Sequence, residues 1–112
     1  MKKINIIKSK NEFTDIINNC NYKKNDYYTI YYRKNNKDNR YGVSIPTKTG
    51  KAVIRNKIKR RIKNIIDINK FIIPKTYDYV IISRKRLLEL NYQEMEKHFI
   101  ELVKKIGEKN EK

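Results

Sequence analysis

The side chains in this chain with the strongest chemical signal are cationic and clustered. Residues 51 to 64, Lys51-Ala-Val-Ile-Arg-Asn-Lys-Ile-Lys-Arg-Arg-Ile-Lys-Asn64, place seven basic residues in fourteen positions with apolar residues at helical spacing and no acid. Such a face attracts a polyanion, because neutralising phosphates releases condensed counterions and gives affinity that falls steeply with salt. A Lys/Arg-rich face can also serve only to keep a protein soluble, but a solvated face usually interleaves acids for local pairing. Here no acid occurs from Asn39 to Ile66, so phosphate binding is the favoured reading. Asn56 adds a directional donor and acceptor among the cations. Of the formal net charge of +16, residues 1 to 38 carry +5, 39 to 66 carry +9 and 67 to 112 carry +2.

The groups that an enzyme of the usual kinds would need are missing. His98 lies between Lys97 and Phe99 with no cysteine or paired carboxylate at ligand spacing, as expected of a partly exposed helix residue. Glycines occur only at 42, 50 and 107, which excludes a Walker loop, and neither GxSxG nor CxxC is present. Glu94, Glu96 and Glu101 fall in the segment whose charges nearly balance, as on a solvated helix face. A protein nuclease acting alone needs clustered acids for divalent ions, and the basic region has none. Any catalysis involving this chain therefore takes its active centre from elsewhere. The tyrosines form a second constellation: in a strand, Tyr27, Thr29 and Tyr31 share one face and Tyr28, Ile30 and Tyr32 the other. Open aromatics beside cations make a stacking platform for unpaired bases. Helices covering both rows would fit the pattern equally well, and Phe13 shares that ambiguity.

These residues need a scaffold, and 112 residues make one ordinary domain with a single core. Gly107 to Lys112 reads as a frayed tail. A lone cysteine, Cys20, excludes an internal disulfide and fits a reducing compartment. No run of about 18 apolar residues and no N-terminal apolar segment is present, which predicts a cytoplasmic protein with no membrane partner. Ser9-Lys-Asn-Glu12 reads as a capping box, opening a helix that carries Phe13, Ile16 and Ile17 to about Asn19 or Cys20. Tyr27 to Tyr32 reads as a strand, Asn35 to Asn39 as a turn and Arg40 to Ile45 as a second strand, most simply paired as an antiparallel hairpin. A helix follows from Ala52 to about Ile66. Its Ile54, Ile58, Ile62, Ile65 and Ile66 lie within roughly a 120° arc, with Arg55, Asn56, Lys59, Arg60 and Lys63 on the adjoining arc. Tyr77 to Ser83 has the near-continuous apolar run of a central strand. Asn91 and Glu94 cap a last helix that buries Met95, Phe99, Leu102, Val103 and Ile106. The expectation is an α+β, two-layer α/β sandwich in the order α-β-β-α-β-α around a small mixed sheet.

The run Gly50-Lys-Ala-Val-Ile-Arg-Asn-Lys-Ile-Lys-Arg-Arg-Ile-Lys63 resembles the Arg-Asn-Arg motif of the bacterial ribonuclease P protein component. Phe13, the Tyr-rich first strand, Tyr41-Gly-Val-Ser-Ile45 before a lysine-bearing loop, and Asp78-Tyr-Val-Ile-Ile-Ser-Arg84 extend the likeness over nearly the whole chain. The resemblance implies a ribosomal protein S5 domain 2-like fold with a further short strand and a left-handed βαβ crossover. It implies the non-catalytic subunit of an endoribonuclease that removes the 5′ leader from precursor tRNA, with the catalytic site and its Mg2+ in the RNA subunit and no ion tightly held by the protein. Its expected partners are ribonuclease P RNA and the precursor leader, with no obligate protein partner. By the same resemblance Arg55, Asn56, Lys57, Lys59, Arg60 and Lys63, with Lys48 from the loop, contact the RNA subunit. Phe13, Ile17, Tyr28, Tyr31 and Arg84 would line a cleft for the single-stranded leader. This chain departs from the family pattern in three places. Lys57 stands where the motif has a third arginine and loses the planar fork. Ile17 stands at a usually aromatic position, and Pro46 and Thr47 precede Lys48. The alternative is a basic ribosomal or ribosome-assembly protein that binds RNA without any catalytic involvement.

Overall fold

A computed structural model describes residues 7, 10–19, 21–35 and 37–110. The Ser9 capping position, Cys20 and the side chains of Glu12 and Phe13 lie outside the described residues. Helix α1 (Lys10–Asn19) leads into strands β1 (Asn21–Lys24), β2 (Tyr28–Lys34) and β3 (Arg40–Ser44). A 3-10 turn at Thr47–Thr49 precedes helix α2 (Ala52–Asn69), followed by strand β4 (Tyr77–Ser83), a second 3-10 turn at Lys85–Glu89 and helix α3 (Tyr92–Asn110). Helix α3 runs through Gly107 to Asn110. Among the described residues no helix is long and apolar enough to cross a membrane.

The fold is α+β, with a mixed four-stranded sheet in the order β1-β2-β4-β3. The expected β2/β3 hairpin does not form. Strand β4 enters between them, antiparallel to β2 and parallel to β3, so β3, α2 and β4 make a βαβ unit. The reason lies in β4, which is apolar on both faces and buried along nearly its whole length. A strand of that composition belongs where both faces are covered. The loop between β2 and β3 has only to span the width of one intervening strand, which five residues do easily. The additional strand β1 pairs antiparallel with β2 at the opposite edge.

Alternation along the strands divides the side chains between two layers. Tyr28, Ile30 and Tyr32 of β2, Tyr41 and Val43 of β3, and Tyr77, Tyr79 and Ile81 of β4 pack with α2 and α3 in one core. Helix α2 contributes Ile58, Ile62, Ile65 and Ile66, while α3 contributes the five predicted residues from Met95 to Ile106. Ile54 departs from its expected place, since it is 40% exposed and lies against Gly50 in the helix's first turn. On the other face α1 covers less, and Ile16 packs with Ile7 and Val80 in a small cluster. The α3 cap forms as predicted: Asn91 Oδ1 accepts from the Glu94 amide at 2.8 Å, and the Asn91 amide donates to Glu94 Oε1 at 3.1 Å.

Candidate nucleic-acid interface

Four isoleucines fix how α2 meets the sheet, and that determines which of its cations reach solvent. With Ile58, Ile62, Ile65 and Ile66 buried, Asn56, Lys57, Lys59 and Arg60 are exposed and Arg55 and Lys63 are half-buried. Arg55 Nε donates to the Gly50 carbonyl at 3.1 Å, tying the start of the helix to the loop that carries the exposed Lys48. Partial burial, with Lys59 one turn away, lowers the pKa of Lys63. No acid lies in the first turn of α2 and no side chain caps it, so the positive end of the helix dipole adds to the field of these cations. The result is a continuous cationic face on a rigidly seated helix. Such a surface is chemically suited to phosphate groups.

The second region lies on the opposite side of the sheet, beneath α1. Strand register arranges its residues in rows, with Arg33, Asp78 and Arg40 aligned across β2, β4 and β3 and Tyr31, Val80 and Gly42 in the next row. A third row holds Thr29, Ile82 and Ser44. The first row is a polar tie. Asp78, 1% exposed, accepts from Arg40 Nη2 at 2.7 Å, Asn35 Nδ2 at 2.7 Å and Arg33 Nε at 3.1 Å. Burial alone would raise the Asp78 pKa, but these three donors outweigh it and hold the carboxyl at about 2. Arg33 also pairs with Asp15, which binds α1 to the sheet. A cavity of about 500 Å³ opens here, lined by Arg33, Lys34, Asn35, Lys37, Arg40 and Asp78. In the next two rows Tyr31, Thr29 and Ile82 are half-buried, and Ile17 of α1 packs against the small cluster beside Tyr31. Aromatic and apolar surface flanked by cations is suited to an unpaired nucleic-acid strand.

Of the residues expected in a cleft, the structure brings Ile17 and Tyr31 together and separates Tyr28 from them. Tyr28 is fully buried on the α2 and α3 face, where its hydroxyl donates to the Met95 carbonyl at 2.9 Å and its ring meets Phe99 edge-on. Tyr28 and Tyr31 are three positions apart, an odd separation that strand alternation places on opposite faces, so the grouping of Tyr28 with Tyr31 is corrected. Arg84 is exposed just after β4 and donates to the Asn25 carbonyl at 3.2 Å, at the end of the sheet where β2 begins. The Phe13 side chain lies outside the described residues. Sequence reasoning missed Tyr22, Lys24 and Arg33. Tyr22 and Lys24 belong to a four-residue polar strand that only pairing with β2 reveals. Arg33 was visible as the next residue on the Tyr31 face of β2, two positions on. His98 is partly exposed, with Glu101 3.6 Å from Nδ1 and the Tyr27 ring 4.5 Å away. Among the described residues no group of three or more His, Cys, Asp or Glu is placed to hold a metal ion.

Comparison with known proteins agrees with this geometry. The family model for ribonuclease P matches residues 1–107. The ribonuclease P protein component of Mesoplasma florum is 42% identical over 105 residues, covering 92% of this chain and 96% of that protein. The corresponding protein of Streptococcus agalactiae is 40% identical over 108 residues, covering 96% and 98%. Among solved structures, the ribonuclease P protein of Thermotoga maritima superposes with a TM-score of 0.84 at 31% identity, covering 94% of this chain and 97% of that one. The basic helix in an acid-free stretch from Asn39 to Ile66, the mixed sheet and likeness along nearly the full length lead to one family: the chain belongs to the ribonuclease P proteins, RNA-binding components of the tRNA-processing endonuclease.

Proposed function

We propose that this chain is the non-catalytic subunit of ribonuclease P, using α2 to grip the RNA subunit and the α1 face to hold the single-stranded 5′ leader of precursor tRNA. The observation that carries the reading is α2 itself. Four of its isoleucines, Ile58, Ile62, Ile65 and Ile66, are committed to the core, so Asn56, Lys57, Lys59 and Arg60 are free to face a partner and Arg55 and Lys63 flank them. Arg55 and Arg60 offer planar forks to phosphate oxygens, Lys57, Lys59 and Lys63 supply point charges, and Lys48 extends the surface along the loop. Asn56 provides the directional contact to a sugar, base or backbone group.

Hydrolysis is carried by the RNA subunit with its own Mg2+, in keeping with a cytoplasmic ribonucleoprotein. What the protein contributes is charge and position. Two RNAs repel each other, and divalent ions are needed to overcome that repulsion; fixed cations on the protein replace part of the requirement. The leader, held against Ile17 and Tyr31 with Arg84 near one end of the sheet, distinguishes precursor from mature tRNA, because only the precursor has a strand to place there. The family resemblance assigns Phe13, on the same helix as Ile17, to this cleft as well.

The test is reconstitution of leader cleavage from ribonuclease P RNA and precursor tRNA at limiting magnesium, with and without the protein. The protein should restore cleavage at magnesium levels where the RNA alone is inactive. Absence of any stimulation would overturn the reading, and cleavage by protein freed of RNA would overturn the assignment of catalysis to the RNA subunit.

A further inference from the structure

The edge strand β1 carries an aromatic side chain that the core does not use. Register sets Tyr22 directly opposite Tyr31 across the antiparallel β1 and β2 pair, so the two rings lie on one face. Their centroids are 5.5 Å apart, with the planes inclined at 40°. Tyr31 is partly covered by the small cluster under α1. Tyr22 lies one strand further out and is 51% exposed, on an edge strand otherwise made of Asn21, Lys23 and Lys24. Lys24, two residues along on the same face and opposite Thr29, is exposed as well. A half-exposed ring on a polar edge strand adds little to the core, yet it presents an apolar face beside a cation and beside a second ring.

We propose that Tyr22 and Tyr31 form a two-ring platform on which two successive unpaired bases stack, with Lys24 meeting the intervening backbone phosphate. The proposal rests on the reading of the α1 face as the leader site and deepens it, extending the strand's path by one base across β1. Aromatics on adjacent strands of one sheet face are a general solution for holding single-stranded RNA, because each ring takes one base. Stacking of this kind tolerates any base, since each has a π-face, so the platform reads the presence and length of a leader without reading its sequence. The 40° inclination suits two splayed bases on neighbouring rings. Tyr22 thereby sets how long a leader must be to receive full affinity.

The experiment uses the holoenzyme, assembled from the protein and ribonuclease P RNA, and precursor tRNAs whose leaders are lengthened one nucleotide at a time. With the natural chain, affinity should rise in steps as successive bases reach the platform. Tyr22→Ala should remove the outer step, binding the longer leaders roughly five- to tenfold more weakly, while matching the natural chain on shorter ones. Tyr22→Phe should restore the step, because the ring is what the base meets. Identical length dependence in Tyr22→Ala and the natural chain overturns the proposal. So does a uniform loss at every leader length with a lowered unfolding midpoint, which would make Tyr22 only a cover for Tyr31. If Tyr31→Ala also leaves the length dependence intact, the leader does not lie on this face, and the reading beneath the proposal fails with it.

Discussion

The two faces of the sheet are made from the same strands in alternation, yet they are finished differently. Among the described residues, nineteen side chains are buried in the cluster with α2 and α3, and three in the cluster under α1. The difference follows from what each face supports. Helix α2 concentrates like charges, close enough that Lys59 adds to the effect of burial in lowering the pKa of Lys63, and that repulsion works against holding the helix in place. Burial of four isoleucines offsets it and makes the cationic face rigid. Under the proposed function the other face receives a flexible strand and has the opposite need, since covering it fully would leave nothing to bind. There a single helix suffices, tied down by the Arg33, Asp78 and Arg40 row and by the pair of Arg33 with Asp15. Apolar packing holds one side, and a charged tie does much of the same work on the other.

Paired core truncations test this division most strongly. Ile62 and Ile16 are both fully buried, one in each cluster. Ile62→Ala should lower the unfolding free energy by about 3–4 kcal/mol in a urea titration, because its dense surroundings leave a cavity that cannot close. Ile16→Ala should cost about 2–3 kcal/mol, since the half-open rim of the small cluster can relax. Equal losses would break the comparison.

The polar tie has its own signature. Asp78→Asn should cost about 2 kcal/mol near neutral pH by weakening hydrogen bonds from charged donors. The folded carboxyl, at about 2, binds its proton less readily than the ordinary carboxyl at 3.8. Its stabilisation is therefore complete above the higher value and lost as the pH falls toward the lower one. Urea titrations from neutral pH down to about pH 2 should show this acid-induced loss in the natural chain and a smaller one in Asp78→Asn. An unchanged acid limb would mean that the row does not hold the α1 face together.

What the sequence made legible was local. The run Tyr77 to Ser83, the α3 apolar set and the Asn91 and Glu94 cap each depend on residues a few positions apart, and each is where the pattern placed it. The acid-free stretch likewise identified the exposed face of α2. The misreadings concern relations between distant segments. Residues 27 to 45 contain nothing to say that β4 will come between β2 and β3. Asn21 to Lys24 has no apolar repeat, so β1 exists only through its partner, and Tyr22 was lost with it. Ile54 shares the isoleucine arc, but it sits in the first turn, against Gly50 instead of the sheet core. For the tyrosines, alternation shows that Tyr28 and Tyr31 face opposite ways without showing which of them meets α3.

That last point yields the smallest expected effect and the most direct check on the two-face division. The Tyr28 hydroxyl is buried and donates to the Met95 carbonyl, and burial pushes its pKa up, so it remains a neutral donor across the working range. Tyr28→Phe keeps the ring against Phe99 and leaves that carbonyl without this donor, which should cost about 1 kcal/mol. Because the ring lies on the far side of the sheet from Ile17 and Tyr31, discrimination between precursor and mature tRNA should not change. Tyr31→Ala should give the converse, weakening binding of the precursor relative to mature tRNA with a smaller effect on unfolding. If Tyr28→Phe instead weakened precursor binding and left stability intact, Tyr28 would face the leader, and the assignment of one sheet face to the core and the other to the strand would have to be reversed at β2.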